Sequence, residues 1–544
     1  MASDNNKGAG AKKNGGWTPE RSVAGSRNPW TIIGVISIAT FMVVLDTSIA
    51  NVALAHIAGT LSASYDEATW VITSFLVANA IVIPISGWLA DVFGRKPYYM
   101  FSVALFTVSS LMCGLAPSLP FLVVARVLQG IGGGGLAPVE QSMMVDTFPP
   151  AKRGAAFAAY GVVVIVGPIL GPSLGGWITD NYSWHWVFLI NVPIGILSLV
   201  LVSLFVVEPP ALKKQTAKVL KAGLRVDYIG FLLVALFLGC LEVTLDRGQR
   251  EDWFSSPMIV AFAVVAAVAF LSFIPWELTR DDPIVNIKLF RKRNFVIANI
   301  FMLLMGLIIF GTTQFIPQLL QEVLGYTATA AGEALTMGGL ATLLVMPLAG
   351  FLTTRVDPRL LIGFALAIQG IALWNLSTLN SQISFENAAV ARMIQSIALP
   401  FLFVTITNIA YVGVRPNENN QASALMNVSR NLGGTFGISL VQTMLARRSQ
   451  VHQAQYVESL DPLNPNYASG IHRITQALMS QGLSQADAAS AATGVLYREL
   501  GQQMQMLSYI DVFHVLMWVV FLVLPLVLLL QKPKGHGGEG GAAA

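Results

Sequence analysis

Long apolar segments alternate with short polar segments along almost the whole chain. Fourteen of these segments run for about 20 residues or more, are rich in Leu, Ile, Val, Phe, Ala and Gly, and contain few charged residues. About 20 consecutive apolar residues are enough for a helix to cross the hydrocarbon core of a bilayer. The pattern therefore predicts fourteen membrane-spanning helices, at residues 30–55, 68–90, 98–116, 119–144, 154–179, 184–207, 227–246, 256–276, 295–318, 329–353, 358–378, 387–411, 420–446 and 509–530.

The composition agrees with an all-α polytopic membrane protein. Of 544 residues, 54% are hydrophobic and 11% are charged, whereas a soluble domain carries about 25% charged residues. This balance excludes a soluble enzyme, a nucleic-acid-binding protein and a disordered chain. The two cysteines each lie within an apolar segment, so neither a disulfide framework nor a cysteine metal site is predicted.

The basic residues predict the orientation of the helices. Of the 33 Lys and Arg residues, 24 lie in the two ends and in alternate connecting segments, six lie in the intervening segments, and three lie inside predicted spans. Basic residues favour the cytoplasmic side of a membrane. We therefore expect a multi-pass protein with both termini in the cytoplasm. The first 28 residues contain no apolar stretch typical of a signal peptide.

A repeat divides the chain into two related halves. The segment 124–131, Val-Ala-Arg-Val-Leu-Gln-Gly-Ile, recurs at 390–397 as Val-Ala-Arg-Met-Ile-Gln-Ser-Ile, at an offset of 266. Asn28 and Asn294, each before an apolar span, are also 266 residues apart. Two parallel six-helix repeats are the architecture of the major facilitator superfamily. We predict that fold, with two inserted spans, and these segments: a disordered tail at 1–29, an N-terminal bundle at 30–207, a linker with the inserted spans at 208–293, a C-terminal bundle at 294–531 with an outer loop at 447–508, and a disordered tail at 532–544.

The short loop between the second and third spans carries a motif that we call the latch motif. Its residues predict a tight turn at a glycine and an aspartate that accepts hydrogen bonds from a helix N-terminus or an arginine of the other half. The alternative is an ordinary basic loop that only sets topology. The motif resembles the loop signature of the major facilitator superfamily, which implies a latch on the cytoplasmic side. Its candidate residues are Gly87, Asp91, Gly94, Arg95 and Lys96.

Arg126 lies inside the fourth span, where an unpaired arginine costs about 2.5–3.5 kcal/mol on insertion scales. It therefore requires an acidic partner facing the protein interior. Asp46, in the middle of the first span, is the first candidate, and Glu140, fourteen residues after Arg126, is the second. A buried carboxylate near a fixed cation can take up and release a proton. These three residues are the candidate proton-coupling residues, and a static buried pair is the alternative.

The fifth span carries a glycine-rich motif that we call the gate motif. Glycines three and four residues apart let two helices approach closely, and proline in a spanning helix is tolerated where neighbours satisfy the freed carbonyls. Generic helix packing is the alternative explanation. The motif resembles the antiporter signature of the same superfamily, which implies a sealed periplasmic gate. Its residues are Gly167, Gly171, Pro172, Gly175 and Gly176.

Together these motifs resemble those of the fourteen-span drug:proton antiporters. The chain is similar to their EmrB family of bacterial inner-membrane proteins in the segments 69–75, 149–153, 191–195, 317–322 and 325–329. The resemblance implies efflux of hydrophobic or amphipathic toxic compounds, with a periplasmic EmrA-like membrane-fusion adaptor and a TolC-like outer-membrane channel as partners. It also implies that the proton motive force drives transport without a cofactor, a metal or enzymatic chemistry. A dedicated exporter of one metabolite, such as a siderophore or fatty acid, is the alternative, and a sensor without transport is a third hypothesis.

Several polar residues have no assigned role at this level. Arg392 and Arg430 lie in the second half. Each either lines a cavity or packs in the protein interior, and the sequence favours neither role. Asp246, near the outer end of an inserted span, is expected to be solvated. In the outer loop, Ser484 and Asp487 predict a helix start, so a helical hairpin there either caps the transporter or docks a partner. The sequence identifies no substrate-binding residue.

Overall fold

The computed structural model describes residues 22–25, 27–221, 226–280, 283–380, 385–458, 460 and 464–531. Within these residues the chain forms helices and turns and no strand. The predicted disordered tails lie almost entirely outside this range. In the first half the helices are α1 (Pro29–Thr60), α2 (Tyr65–Ala68), α3 (Trp70–Phe93), α4 (Arg95–Gly114), α5 (Leu119–Gly134), α6 (Leu136–Thr147), α7 (Pro150–Asn181), α8 (His185–Leu189) and α9 (Asn191–Phe205).

The remaining helices form the linker and the second half. The linker holds α10 (Pro210–Lys221), α11 (Tyr228–Arg247) and α12 (Pro257–Thr279). The second half holds α13 (Arg293–Gln318), α14 (Ala328–Leu352), α15 (Pro358–Ser377), α16 (Phe385–Ala410), α17 (Asn419–Val457), α18 (Pro465–Ser480) and α19 (Gln485–Val523). All fourteen segments predicted to span a membrane are therefore helical.

Twelve segments of the described chain are long and apolar enough to cross a membrane. The other two predicted spans correspond to α7 and α17, which are 32 and 39 residues long. Both contain many Gly, Ala and polar residues, and each packs along another helix of the bundle. The count of fourteen spans thus stays a prediction.

The two halves repeat the same helix pairings. In the first half α1 packs on α7 and α3 packs on α5, and in the second half α13 packs on α17 and α14 packs on α16. The inserted helix α11 packs against α3 of the first half and α17 of the second. α12 packs mainly on α11 and leaves apolar side chains such as Leu271 exposed. The inserted pair therefore lies along one seam between the halves.

Both ends of the described chain lie on one face of the bundle. Near the start, the Val23 amide donates to Thr147 Oγ1 at 3.4 Å, next to Asp146, which accepts from Asn419. Near the end, Asn294 Nδ2 donates to the carbonyl of Gln531 at 3.1 Å. We call this the basic face, because Arg95, Lys292 and Arg415 lie there at or next to helix N-termini.

Helices make up most of residues 447–508, the predicted outer loop. α17 continues to Val457, and α19 begins at Gln485 with Ser484 as its N-cap. The predicted helix start at Ser484 is confirmed, and α18 packs against α19 as the second arm of a hairpin. Polar residues continue α17 and α19 beyond the apolar segments that marked the spans, and the bounds of the outer loop stay a prediction.

Candidate functional site

The centre of the first half holds a buried ion pair between α1 and α5. Arg126 Nη1 donates to Asp46 Oδ2 at 2.6 Å. The Asp46 side chain is 0% exposed and that of Arg126 is 1% exposed. Burying two charges is favourable only when hydrogen bonds satisfy the remaining donors and acceptors. The surroundings of both residues therefore decide whether the pair is stable.

The surrounding helices supply these hydrogen bonds. Asp46 Oδ1 accepts from Gln129 Nε2 at 2.9 Å and from Asn191 Nδ2 at 2.7 Å. Arg126 also donates through Nε to the carbonyl of Val71 at 2.9 Å, and its guanidinium lies over the Phe75 ring, 4.2 Å from the ring centroid. We call Asp46, Arg126, Gln129 and Asn191 the coupling cluster. Through the Asp46 carboxylate, the coupling cluster connects α1 to α5 and α9.

Gln129 and Asn191 were missed at the level of sequence. Gln129 lies one helical turn after Arg126, so the spacing alone places both residues on one helix face. Asn191 lies at the start of α9, 145 residues from Asp46, and nothing in its local pattern indicates this contact. The only signal in the sequence was that Gln129 and Asn191 are each a polar residue within a predicted span.

Glu140 is not the partner of Arg126, so this part of the prediction is wrong. Fourteen helical residues advance about 21 Å along the axis, which is too far for an ion pair. Glu140 Oε2 instead accepts from Thr40 Oγ1 at 2.5 Å, and Oε1 accepts from Tyr99 Oη at 3.0 Å. The Glu140 carboxylate thus contacts α1 at a second position, which lies closer to the basic face than Asp46.

The gate motif packs on the helix that carries Asp46. A Cβ atom added at Gly167 would lie 2.7 Å from Val44 Cγ1, and one at Gly175 would lie 2.9 Å from Ile49 Cγ2. Gly171 faces Ser48 of α1 in the same way, whereas Gly176 has open space around it. α7 remains a continuous helix through Pro172. Three of the four glycines therefore permit close contact with α1 on both sides of Asp46.

The latch motif joins the two halves at the basic face. Asn420 Nδ2, in the first turn of α17, donates to Asp91 Oδ1 at 2.6 Å. A Cβ atom at Gly87 would lie 3.0 Å from the carbonyl oxygen of Asn420. One partner of Asp91 in the other half is thus a side-chain amide at the N-terminus of α17.

The other latch residues organise the first half. Gly94 has φ +90°, a backbone conformation that favours glycine, and it separates α3 from α4. Arg95 Nη1 donates to Asp146 Oδ2 at 2.6 Å. The Lys96 ammonium donates to the carbonyl of Val206 at 2.6 Å, and its backbone amide donates to Glu208 at 2.8 Å. Asp146 also accepts from Asn419 Nδ2 at 2.6 Å, so Arg95 contacts the second half through Asp146.

The inserted helix α11 holds two further carboxylates. The buried Glu242 accepts from Thr435 Oγ1 of α17 at 3.0 and 3.1 Å. Asp246, which the sequence predicts to be solvated, is half-buried and accepts from Thr73 Oγ1 of α3. Glu242 therefore contacts the second half, and Asp246 contacts the first half. Across the described residues, no group of three or more His, Cys, Asp or Glu side chains is arranged to hold a metal ion.

Comparison with known proteins places this architecture in a family. The model of the Major Facilitator Superfamily matches residues 36–438, and the chain belongs to that superfamily. It is a multi-pass membrane transporter rather than an enzyme. Within the superfamily the chain is EmrB-like: it is 40% identical over 509 residues to the Multidrug export protein EmrB of Escherichia coli (strain K12), covering 93% of this chain and 96% of that one.

Two further comparisons bear on function and on fold. The chain is 35% identical over 517 residues to the Fatty acid resistance protein FarB of Neisseria gonorrhoeae, covering 95% of this chain and 98% of the relative. Among solved structures it resembles the proton:xylose symporter XylE, with a TM-score of 0.57, 14% identity and coverage of 93% and 96%. The similarity to XylE supports the fold alone.

Proposed function

We propose that the protein exports hydrophobic or amphipathic toxic compounds by proton-driven alternating access. The single observation that carries the proposal is the coupling cluster, in which a fully buried carboxylate on α1 is held by Arg126, Gln129 and Asn191. Charged residues inside membrane helices are costly and are typical of ion and proton pathways. Multidrug export in the EmrB relative is consistent with this assignment.

The cluster provides a way for a proton to change the packing of helices. A proton on Asp46 removes the charge that attracts Arg126 and converts one acceptor oxygen into a hydroxyl. Because α1 also packs on the gate glycines of α7, loosening the cluster changes the contact between α1 and α7. The proton and the substrate then bias one equilibrium between inward-open and outward-open states.

The latch supports alternating access at the basic face. With Asp91 bonded to Asn420 and Asp146 bonded to Asn419, the two halves are closed together on that face. We assign this face to the cytoplasm on the basis of its basic loops, so the arrangement corresponds to a transporter closed towards the cytoplasm. Opening requires these interdomain bonds to break.

The location and partners follow from the resemblance to EmrB proteins. We infer a bacterial inner-membrane protein with both termini in the cytoplasm. It acts with an EmrA-like periplasmic adaptor and a TolC-like outer-membrane channel, and the proton motive force is its energy source. The α18–α19 hairpin lies on the face opposite to the basic face, where such an adaptor binds.

A dedicated exporter of one metabolite is the second candidate function. The 35% identity to a fatty acid resistance protein over 95% of the chain favours a fatty acid over a siderophore. The two functions share the coupling cluster and differ in the breadth of substrates. A resistance profile of a deletion strain with and without the gene separates them, because a multidrug exporter protects against chemically unrelated compounds.

Transport by reconstituted proteoliposomes tests the proposal. Under an imposed pH gradient the wild type should move a fluorescent hydrophobic substrate, and Asp46→Asn should abolish this movement while the protein still inserts and folds. Asp180→Asn, at an exposed position, is the matched control and should transport normally. Normal pH-driven transport by a well-expressed Asp46→Asn variant would rule out the coupling role.

A further inference from the structure

The second half contains a counterpart of the coupling cluster in which the carboxylate is missing. The repeat offset of 266 relates Arg126 to Arg392 and Gln129 to Gln395, and the same offset relates Asp46 to Thr312. The contacts repeat as well. Arg392 Nη1 donates to Gln395 Oε1 at 2.5 Å and to Thr312 Oγ1 at 3.2 Å. A neutral hydroxyl therefore takes the place of the internal counter-ion.

Arg392 has no acidic partner in the part of the chain that the structure describes. Its hydrogen bonds there go to the neutral side chains of Thr312, Thr313 and Gln395. The residue is 7% exposed, and its Nε has no hydrogen-bond partner. A buried charge is usually paired, because removing it from water is costly. The second half thus holds a buried cation that an anion can neutralise.

The guanidinium lies close to a partly open edge of the bundle. Nη2 donates to Thr313 Oγ1 at 3.0 Å, and Thr313 is half-buried while the next residue, Gln314, is exposed. On the other side, the absence of a side chain at Gly338 lets Arg392 lie against α14, since a Cβ there would be 2.9 Å from Arg392 Cγ. Arg392 therefore packs against α14 on one side, and its guanidinium contacts α13 on the other.

We propose that Arg392, with Thr312, Thr313 and Gln395, binds the anionic headgroup of an amphiphilic substrate, most directly a carboxylate. The inference rests on the proposed export function and specifies its substrate class. A guanidinium presents parallel N–H groups that match the two oxygens of a carboxylate. The substrate carboxylate then serves as the counter-ion of Arg392, the role that the Asp46 carboxylate has for Arg126 in the first half, and the apolar tail lies among the surrounding helices.

The repeat itself suggests the decisive pair of variants. Thr312→Asp supplies the second half with the internal counter-ion that the first half already has, and it should exclude an anionic ligand from Arg392. Thr312→Asn introduces a side chain of nearly the same shape as that of aspartate but without the charge. It should leave binding close to that of the wild type. Arg392→Gln removes the cation and should weaken binding independently of Thr312.

Binding is measured by calorimetry with the full chain in phosphatidylcholine nanodiscs and with dodecanoate as the probe. Empty nanodiscs correct for partition of the probe into lipid, and about pH 8.5 keeps its carboxyl group ionised. Thr312→Asp and Arg392→Gln should each weaken dodecanoate binding by about tenfold to a hundredfold, the effect of losing a charge-assisted hydrogen bond. Equal affinities for wild type, Thr312→Asp and Thr312→Asn would overturn the assignment.

Two further probes identify what is bound. Dodecyltrimethylammonium has the same tail and the opposite charge, and Thr312→Asp should not weaken its binding. Acetate has the carboxylate without the tail, and it should not displace dodecanoate. Displacement by acetate would show a small-anion site and would contradict the amphiphile assignment. The exposed control variant Asp180→Asn should bind dodecanoate like the wild type. Proton coupling is measured by pH-driven transport and this inference by dodecanoate binding to the Thr312 variants, so failure of one and failure of the other give different results.

Discussion

The side-chain amide of Asn420 donates to Asp91 at 2.6 Å, and this bond connects α17 of the second half to α3 of the first. The related seam between α7 and α14 is different. There Gly350 and Thr354 correspond to Gly87 and Asp91 at an offset of 263. A Cβ added at Gly350 would lie 3.2 Å from the carbonyl oxygen of Gly154, and Thr354 takes the place of the aspartate. The latch is therefore asymmetric: one seam has a charge-assisted bond at the aspartate position and the other has a neutral residue there.

Replacing Asp91 by Asn should shift the protein towards the state that is open at the basic face. The change removes the charge from a hydrogen bond worth about 1.5–3 kcal/mol, which is comparable to the free-energy gap between two conformations of a protein. Spin labels on the basic-face ends of α3 and α17 should report longer distances between the halves.

Asn420→Asp provides a second variant at the same contact. It places two carboxylates against each other, so it should open the face further than Asp91→Asn. Asp252→Asn, in an exposed connection between α11 and α12, is the control and should leave the distances unchanged. Unchanged distances in both latch variants would leave the loop with a role in topology only.

Gly167→Ala and Gly176→Ala form a matched pair within the gate motif. The added Cβ at residue 167 would clash with Val44 at 2.7 Å, whereas residue 176 has open space. Overpacking typically costs about 1–3 kcal/mol. Gly167→Ala should therefore lower the thermal unfolding midpoint in detergent and increase proton leak in proteoliposomes, while Gly176→Ala should match the wild type. Equal behaviour of the two variants would contradict a sealing contact between α7 and α1.

Replacing residues 458–484 by a short Gly/Ser linker removes α18 and leaves the long helices intact. α17 and α19 should stay together, because Arg448 Nε lies 2.6 Å from Asp511 Oδ2. None of the α18 side chains is buried, so we expect this helix to dock the adaptor. Cells that need the whole tripartite route should lose resistance, while inverted vesicles should still transport. Loss of both activities would favour a capping role for the hairpin.

The ion pair between Lys292 and Glu418 should make stability depend on pH. Burial raises the pKa of Glu418, but hydrogen bonds from Lys292 and the Arg415 backbone outweigh it, so the pKa lies below its usual value of 4.5. The stabilisation is then fully present above pH 4.5 and is lost as the pH falls through the folded-state value. Glu418→Gln should cost about 1 kcal/mol at pH 7 and progressively less below pH 4.5.

Thermal unfolding at both ends of this pH range measures the effect. The exposed Glu499 supplies the control, since Glu499→Gln should unfold like the wild type at each pH. A constant difference between Glu418→Gln and the wild type across the range would show that the ion pair is not responsible.

The helices, the repeat and the superfamily could be predicted from the sequence alone. Apolar runs of membrane-spanning length depend on local composition alone, so α1 and α13 could be located without any knowledge of their neighbours. The prediction that Arg126 requires an acidic partner is also local, because the cost of a buried charge does not depend on the fold. The sequence ranked Asp46 before Glu140 as the partner of Arg126, but only the structure shows the contact.

The tertiary structure decided which side chains meet. Asn191 reaches Asp46 across 145 residues, and Asn420 reaches Asp91 across 329 residues. Such contacts depend on how helices are arranged around each other, which periodicity along one helix does not encode. The structure also separated Glu140 from Arg126 and showed that Arg392 has the geometry of the coupling cluster without its carboxylate. Charge compensation in a bundle is a property of three or four helices together, and for that reason only their packing could assign it.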